Sequence, residues 1–113
     1  MDLHSDVWVY ALIRRAELGG AFATVARKGD ARAGAVLVKT LDRRGAQARL
    51  YAQAMNVSGE PAWMRPVAST DEADIDAFIE RAVRIDPDLW VVEIEDADGA
   101  RFLTEPVEDA DRA

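Results

Sequence analysis

The sequence contains no cysteine. That absence excludes disulfides, thiolate metal sites and thiol nucleophiles together, and it points to a cytoplasmic protein. Histidine occurs once, as His4, two residues before Asp6 at the N-terminus, where an incidental exposed side chain is the simplest reading. The only serines are Ser5, Ser58 and Ser69, none of them in a G-x-S-x-G setting. The glycines of "KGDARAG" at 28–34 have neither P-loop nor dinucleotide spacing and lack the phosphate-binding Lys-Ser/Thr. No apolar run approaches the roughly 18–20 residues that span a bilayer, and "MDLHSD" has no signal-peptide character. Acyl transfer, thiol chemistry and nucleotide hydrolysis therefore lack their groups. No cofactor is expected, and the reading leans away from an enzyme.

What is present is a folded protein's composition: 113 residues, 50% hydrophobic and 31% charged. One α+β domain is expected over residues 1–104, followed by an acidic disordered tail at 105–113. The net charge of −7 is unevenly spread. Residues 1–65 hold ten Lys/Arg against six Asp/Glu, or +4, and residues 66–113 hold four against fifteen, or −11. Such asymmetry marks either a binding surface or two halves that the fold intersperses.

Ser5 followed by "DVWVYALIRRAEL" has a capping residue, an acid in the first turn and an apolar face through Val7, Trp8, Ala11, Leu12 and Leu18; Gly19-Gly20 is a natural stop. "AFATVARKG", "GAVLVKTL" and "AQARLYAQA" then read as a three-stranded antiparallel meander, the middle strand central because it is continuously apolar. Residues 55–69 form a long irregular loop with room for a short edge strand near Trp63 to Val67. "STDEADIDAFIERAVRI" predicts a second helix, with a capping box at Ser69 to Glu72, an apolar stripe through Ile75, Phe78, Ile79 and Ala82, and Pro87 as its limit. "LWVVEIE" and "ARFL" flank Asp96-Ala97-Asp98-Gly99, which predicts a terminal hairpin with Gly99 at positive φ. The predicted order is α-β-β-β-α-β-β: an antiparallel sheet of about five strands with both helices packed on one face.

Within that frame, "EIEDAD" places Glu93, Glu95, Asp96 and Asp98 close together. Alternation puts Trp90, Val92 and Ile94 in the core and Glu93 and Glu95 on a solvated strand face. These two glutamates, with Asp30, are the only weak candidates for a Mg²⁺ or metabolite site. The basic residues Arg27, Lys28, Arg32, Lys39, Arg43, Arg44 and Arg49 are expected, exposed, near strand ends, where they could form an anion-binding patch. Trp63 and Met64, between Pro61 and Pro66, are either a cap on the sheet or an exposed anchor for a second chain. A pI near 4.6 argues against constitutive nucleic-acid binding, leaving weak RNA contact through the arginines as a third reading.

Three strings are similar to those of a family of small alphaproteobacterial proteins known as a domain of unknown function (DUF1491): "DVWVYALIRRAELGGAFATVARKGDARAGAVLVK" at 6–39, "RLYAQA" at 49–54 and, most specifically, "IDPDLWVVEIED" at 85–96. The resemblance runs from about Ser5 to Leu103. At 51–54 "YAQA" departs from the family's expected Y-x-P-A, so the loop entry is expected to differ. The resemblance implies a bacterial, cytoplasmic α+β protein of this size and brings no activity or catalytic residue. The leading expectation is an uncharacterised non-enzymatic interaction or regulatory module that binds a protein partner or itself as a homodimer, without membrane. The candidate contact residues are Trp63, Met64, Arg27, Lys28, Arg32, Arg43 and Arg44. The alternative is a small metabolite binder or Mg²⁺-dependent enzyme using Glu93 and Glu95.

Overall fold

Two segments that each open on an unbroken apolar run form the centre of the molecule. "VLVKTLD" becomes β2 (Val36–Asp42) and "WVVEIE" becomes β5 (Trp90–Glu95), in a computed structural model that describes residues 4–108. They pair in parallel, Val36 opposite Trp90 and Leu41 opposite Glu95. Strands covered on both faces read as continuous apolar runs, and parallel pairs are found in such covered sheets.

Around this pair lie β1 (Phe22–Arg27), β3 (Gln47–Met55), β4 (Pro61–Met64) and β6 (Val107–Glu108), in the order β1-β5-β2-β3-β4-β6. The sheet of the described residues is therefore mixed and six-stranded, where five antiparallel strands were expected. The predicted meander is broken, because β5 enters between β1 and β2 and pairs antiparallel with β1. β2, β3 and β4 do form an antiparallel run. The terminal hairpin is absent. After β5 the chain makes a short 3-10 turn at Gly99–Phe102 instead of returning as a strand. Gly99 does not have positive φ; it is buried, and a Cβ there would meet Thr40 Cγ2 at 2.8 Å.

The helices α1 (Ser5–Leu18) and α2 (Glu72–Ile85) cover opposite faces, not one. Side chains alternate along β2, so Val36 and Val38 face α1 while Leu37 and Leu41 face α2. The α1 layer is Val9, Leu12 and Ala16 against Trp90, Val92, Ile94, Tyr51 and Trp63, with Phe102 closing one end. The α2 layer is Ile75 against Leu37, Leu41, Leu50 and Leu89, with Phe78, Ile79, Ala82 and Val83 partly buried around it. The expectation of one covered face failed because each helix has a single apolar stripe, and that stripe does not say which face of a two-sided sheet it meets.

The helix ends are tied down by different groups from those expected. Ser5 does not cap α1: its Oγ donates to Gly34 O at 2.7 Å, while the N–H groups of Ser5 and Asp6 donate to the carbonyls of Arg32 and Ala31. Gly20, at φ +90, turns the chain from α1 into β1. In α2 the cap is Asp71, whose Oδ1 accepts from Ala73 N at 3.0 Å. Ser69 lies just outside, accepting from Asp71 N and donating to Asp74 Oδ2. Asp86 is extended, as a residue before proline must be, and α2 stops there.

Residues 105–108, which were expected to belong to the tail, make contacts with the sheet. Glu105 accepts from Trp63 Nε1, and β6 pairs in parallel with β4. Residues 109–113 of the predicted tail lie outside the described residues.

Candidate functional site

A lysine in the middle of an apolar strand must find counter-charges. Lys39 on β2 faces α2, and its side chain is only 6% exposed. Its Nζ lies 2.7 Å from Glu72 Oε2, 2.8 Å from Asp76 Oδ1 and 3.7 Å from Glu93 Oε2. Glu72 and Asp76 stand four apart on α2, one turn above the other, and Glu93 comes from the neighbouring β5. Burial disfavours the charge on Lys39, but hydrogen bonds to Asp76 and Glu72, with the charge of Glu93, outweigh it and hold the ammonium above its ordinary range. Lys39 is therefore a protonated structural cation at neutral pH, not a nucleophilic amine.

Glu95 continues the same row, its Oε1 accepting from Arg43 Nε at 2.7 Å. The two candidate metal ligands are thus part of a charge network. They are partly buried, 30% and 32% exposed, and do not form the open wet face that was expected. A divalent ion at Glu93 and Glu95 would compete with Lys39 and Arg43. Asp30, the third member of that set, stands at the other end of β5: its backbone carbonyl accepts from Trp90 Nε1 at 2.7 Å. Among the described residues no group of three or more His, Cys, Asp or Glu could hold a metal ion.

The seven basic residues do not form one patch. Arg27 aligns with Val91 near the start of β5 and donates to Pro87 O at 3.0 Å, with Lys28 and Arg32 in the loop that follows. Arg43 bonds Glu95 at the end of β5, with Arg44 beside it. Val91 and Glu95 are four residues apart, about 13 Å along a strand. Lys39, grouped with the exposed cations on sequence, is the buried one.

Trp63 is 1% exposed and takes the cap reading rather than the anchor reading. Its ring packs at 5.4 Å from that of Trp8, and its Nε1 donates to Glu105 Oε1 at 2.9 Å. Met64, next along β4, is 38% exposed. At the sharp turn after β5, Asp96 accepts from Arg101 and from the N–H of Asp98, which hold its carboxyl below the usual range.

A different surface stands open. Among the described residues nothing pairs with the outer edge of β1. Phe22 on that strand is 77% exposed, and Leu18, just before the turn into it, is 76% exposed. The sequence reading took β1 as the first strand of a meander and named Arg27 alone of its residues as a contact candidate. The signal was "FAT", an uncharged strand start with its aromatic on the wrong face for the core.

Fold and surface together define a small α+β protein in which a mixed sheet lies between two helices. The family described as "Protein of unknown function (DUF1491)" matches residues 3–104, and the chain belongs to it. A crystal structure of a family member from Caulobacter crescentus CB15 is 71% identical, with a TM-score of 0.90 over 95% of this chain and 100% of that one. An NMR structure of a family protein from the same organism gives 71% identity and a TM-score of 0.86, covering 96% and 98% of the two chains. A solution structure of a protein from A. tumefaciens is 37% identical, with a TM-score of 0.78 over 93% and 95%. No curated protein matches. Among the described residues no helix is long and apolar enough to cross a membrane.

Proposed function

We propose that the protein is a non-enzymatic interaction module that pairs with a second copy of itself through the outer edge of β1. The observation that carries this reading is the unprotected edge. Isolated proteins blunt their edge strands with charge, proline or a bulge. In β1 the only such devices, Arg27 and the irregularity between Val25 and Arg27, sit at the C-terminal end. Residues 22–25 have none, and Phe22 adds a large apolar side chain beside unpaired backbone groups. Antiparallel pairing of β1 with its copy would satisfy those groups by an isologous contact, the commonest symmetry of homo-oligomers. The cysteine-free composition fits a cytoplasmic setting for such a module.

The test is sedimentation of wild type across a wide concentration range beside Thr24→Lys, which puts a charge on the exposed face of the edge. The expected result is a concentration-dependent dimer that Thr24→Lys converts to monomer with unchanged circular dichroism. A wild type that stays monomeric throughout overturns self-association through β1.

A further inference from the structure

A cleft opens beside the C-terminal half of α2. Phe78, Arg81, Ala82 and Ile85 fall at i, i+3, i+4 and i+7 and form one wall of a cleft whose floor is Leu37, Ala52 and Leu89. The cleft has a volume of about 460 Å³, within the range of about 300–1,000 Å³ typical of small-molecule sites. It exists for a reason legible in the chain: the sheet offers Ala35 and Ala52 where larger residues would reach the helix. Ile85, 84% exposed, extends the apolar wall to the rim.

Two charged side chains line this cleft, Arg81 and Asp86. Asp86 is occupied, its Oδ1 accepting from Asp88 N at 3.0 Å. Arg81 is exposed, and among the described residues it makes no hydrogen bond or ion pair. An apolar trough beside an uncommitted guanidinium is complementary to an amphiphile with a negative head, because the tail fills the trough while the fork of Arg81 takes a carboxylate.

We infer that this cleft binds a free aliphatic carboxylate of medium length, the tail lying along Leu37, Ala52, Phe78, Ala82 and Leu89 and the carboxylate on Arg81. The site is separate from the edge of β1, so its occupation and the self-association proposed above stand or fall independently.

Calorimetric titration of the full chain with decanoate, below its micellar range, tests this beside decyltrimethylammonium as a cationic counterpart. Saturable one-to-one binding of decanoate is expected, with little binding of the cation. Arg81→Ala should weaken it by about tenfold or more, the usual effect of losing a hydrogen bond to a charged group. Ala52→Leu fills the trough from its floor. It should abolish binding without lowering the melting temperature, which separates loss of the site from loss of the fold. Arg44→Ala, at the other end of the sheet, should change nothing. No saturable binding, equal binding of the cation, or full retention of affinity in both Arg81→Ala and Ala52→Leu would overturn the inference.

Discussion

Replacing Lys39 with methionine keeps most of the buried stem and removes the ammonium, so it isolates the network that joins β2, β5 and α2. At separations of 2.7 and 2.8 Å the gross attraction per pair is large, about 6 kcal/mol at an effective dielectric of 20. Most of this offsets the desolvation of a side chain that is 6% exposed. Removing one member of a fully buried pair costs about 3–5 kcal/mol, whereas exposed pairs contribute about 0.2–1 kcal/mol each. Glu72, Asp76 and Glu93 are 46%, 52% and 30% exposed, so water returns to them and Lys39→Met should cost about 2 kcal/mol, between those limits. For a domain near this size that lowers the melting temperature by roughly 10 °C. Urea and thermal unfolding followed by tryptophan fluorescence would measure it. The double variant Lys39→Met/Glu93→Gln should recover part of the loss, because what remains in the single variant is repulsion among carboxylates. The dependence on pH has a definite sign. Lys39 titrates higher in the folded state than its ordinary value of 10.5. Its contribution is therefore complete below 10.5 and disappears as pH rises through the folded value. The stability gap between wild type and variant should stay flat through neutral pH and narrow only in strong alkali. A gap under about 0.5 kcal/mol at pH 7 would refute the reasoning, since that is the scale of an indifferent surface substitution.

Other consequences are shorter to state. Gly34→Ala should destabilise by about 1–3 kcal/mol by overpacking, because a Cβ there meets Asp88 O and, at 2.8 Å, the Trp90 ring; chemical denaturation would show it. Glu105→Ala removes the acceptor of Trp63 Nε1 and should cost about 1 kcal/mol, with acrylamide quenching of tryptophan fluorescence rising. Asp96 titrates lower when folded, so it stabilises above the ordinary 3.8 and that contribution fades as pH falls through the folded value. Asp96→Asn should therefore be less stable than wild type at neutral pH and converge on it in acid.

The local elements were readable because their signals are local. Both helices were legible as elements from their stops, Gly19-Gly20 for one and Pro87 for the other. The face read for α1 shares only Leu12 with the buried one: Val7, Ala11 and Leu18 are exposed, and Val9, Leu12 and Ala16 are buried. The pairing of β2 with β3 followed from the short turn Asp42-Arg43-Arg44-Gly45; a short edge strand was allowed near Trp63 to Val67, whereas β4 is Pro61–Met64 and lies between β3 and β6. The place of β5 was not read, although its sequence carried the evidence. "LWVV" is as continuously apolar as the start of β2, and such a run is the mark of a strand covered on both sides. Assigning it to a terminal hairpin ignored that mark in favour of the turn-like "DADG". From this error followed two others, an all-antiparallel sheet and glutamates on a wet surface. The Trp63 environment needed Glu105, which lies 42 residues away and was set aside as tail.

The charge asymmetry shows why that placement matters. Split at residue 65, the chain is +4 on one side and −11 on the other, which on sequence could mark a surface for an outside partner. The fold answers most of that question internally. β5, from the acidic half, enters between β1 and β2 of the basic half, and α2, also acidic, lies across β2 and β3. The contacts of Lys39 with Glu72, Asp76 and Glu93, and of Arg43 with Glu95, all join one half to the other. Opposite signs at these positions favour the parallel pairing of β2 with β5, which like-charged neighbours would oppose. What the network leaves over is unequally placed. Acids crowd the end of the sheet where α2 begins, and Arg81, unpaired among the described residues, stands at the end where α2 stops. Among the exposed cations of the described residues, Arg81 is the one that lines the cleft where the apolar surface of the α2 layer is left open, so an anionic amphiphile meets charge and trough together there.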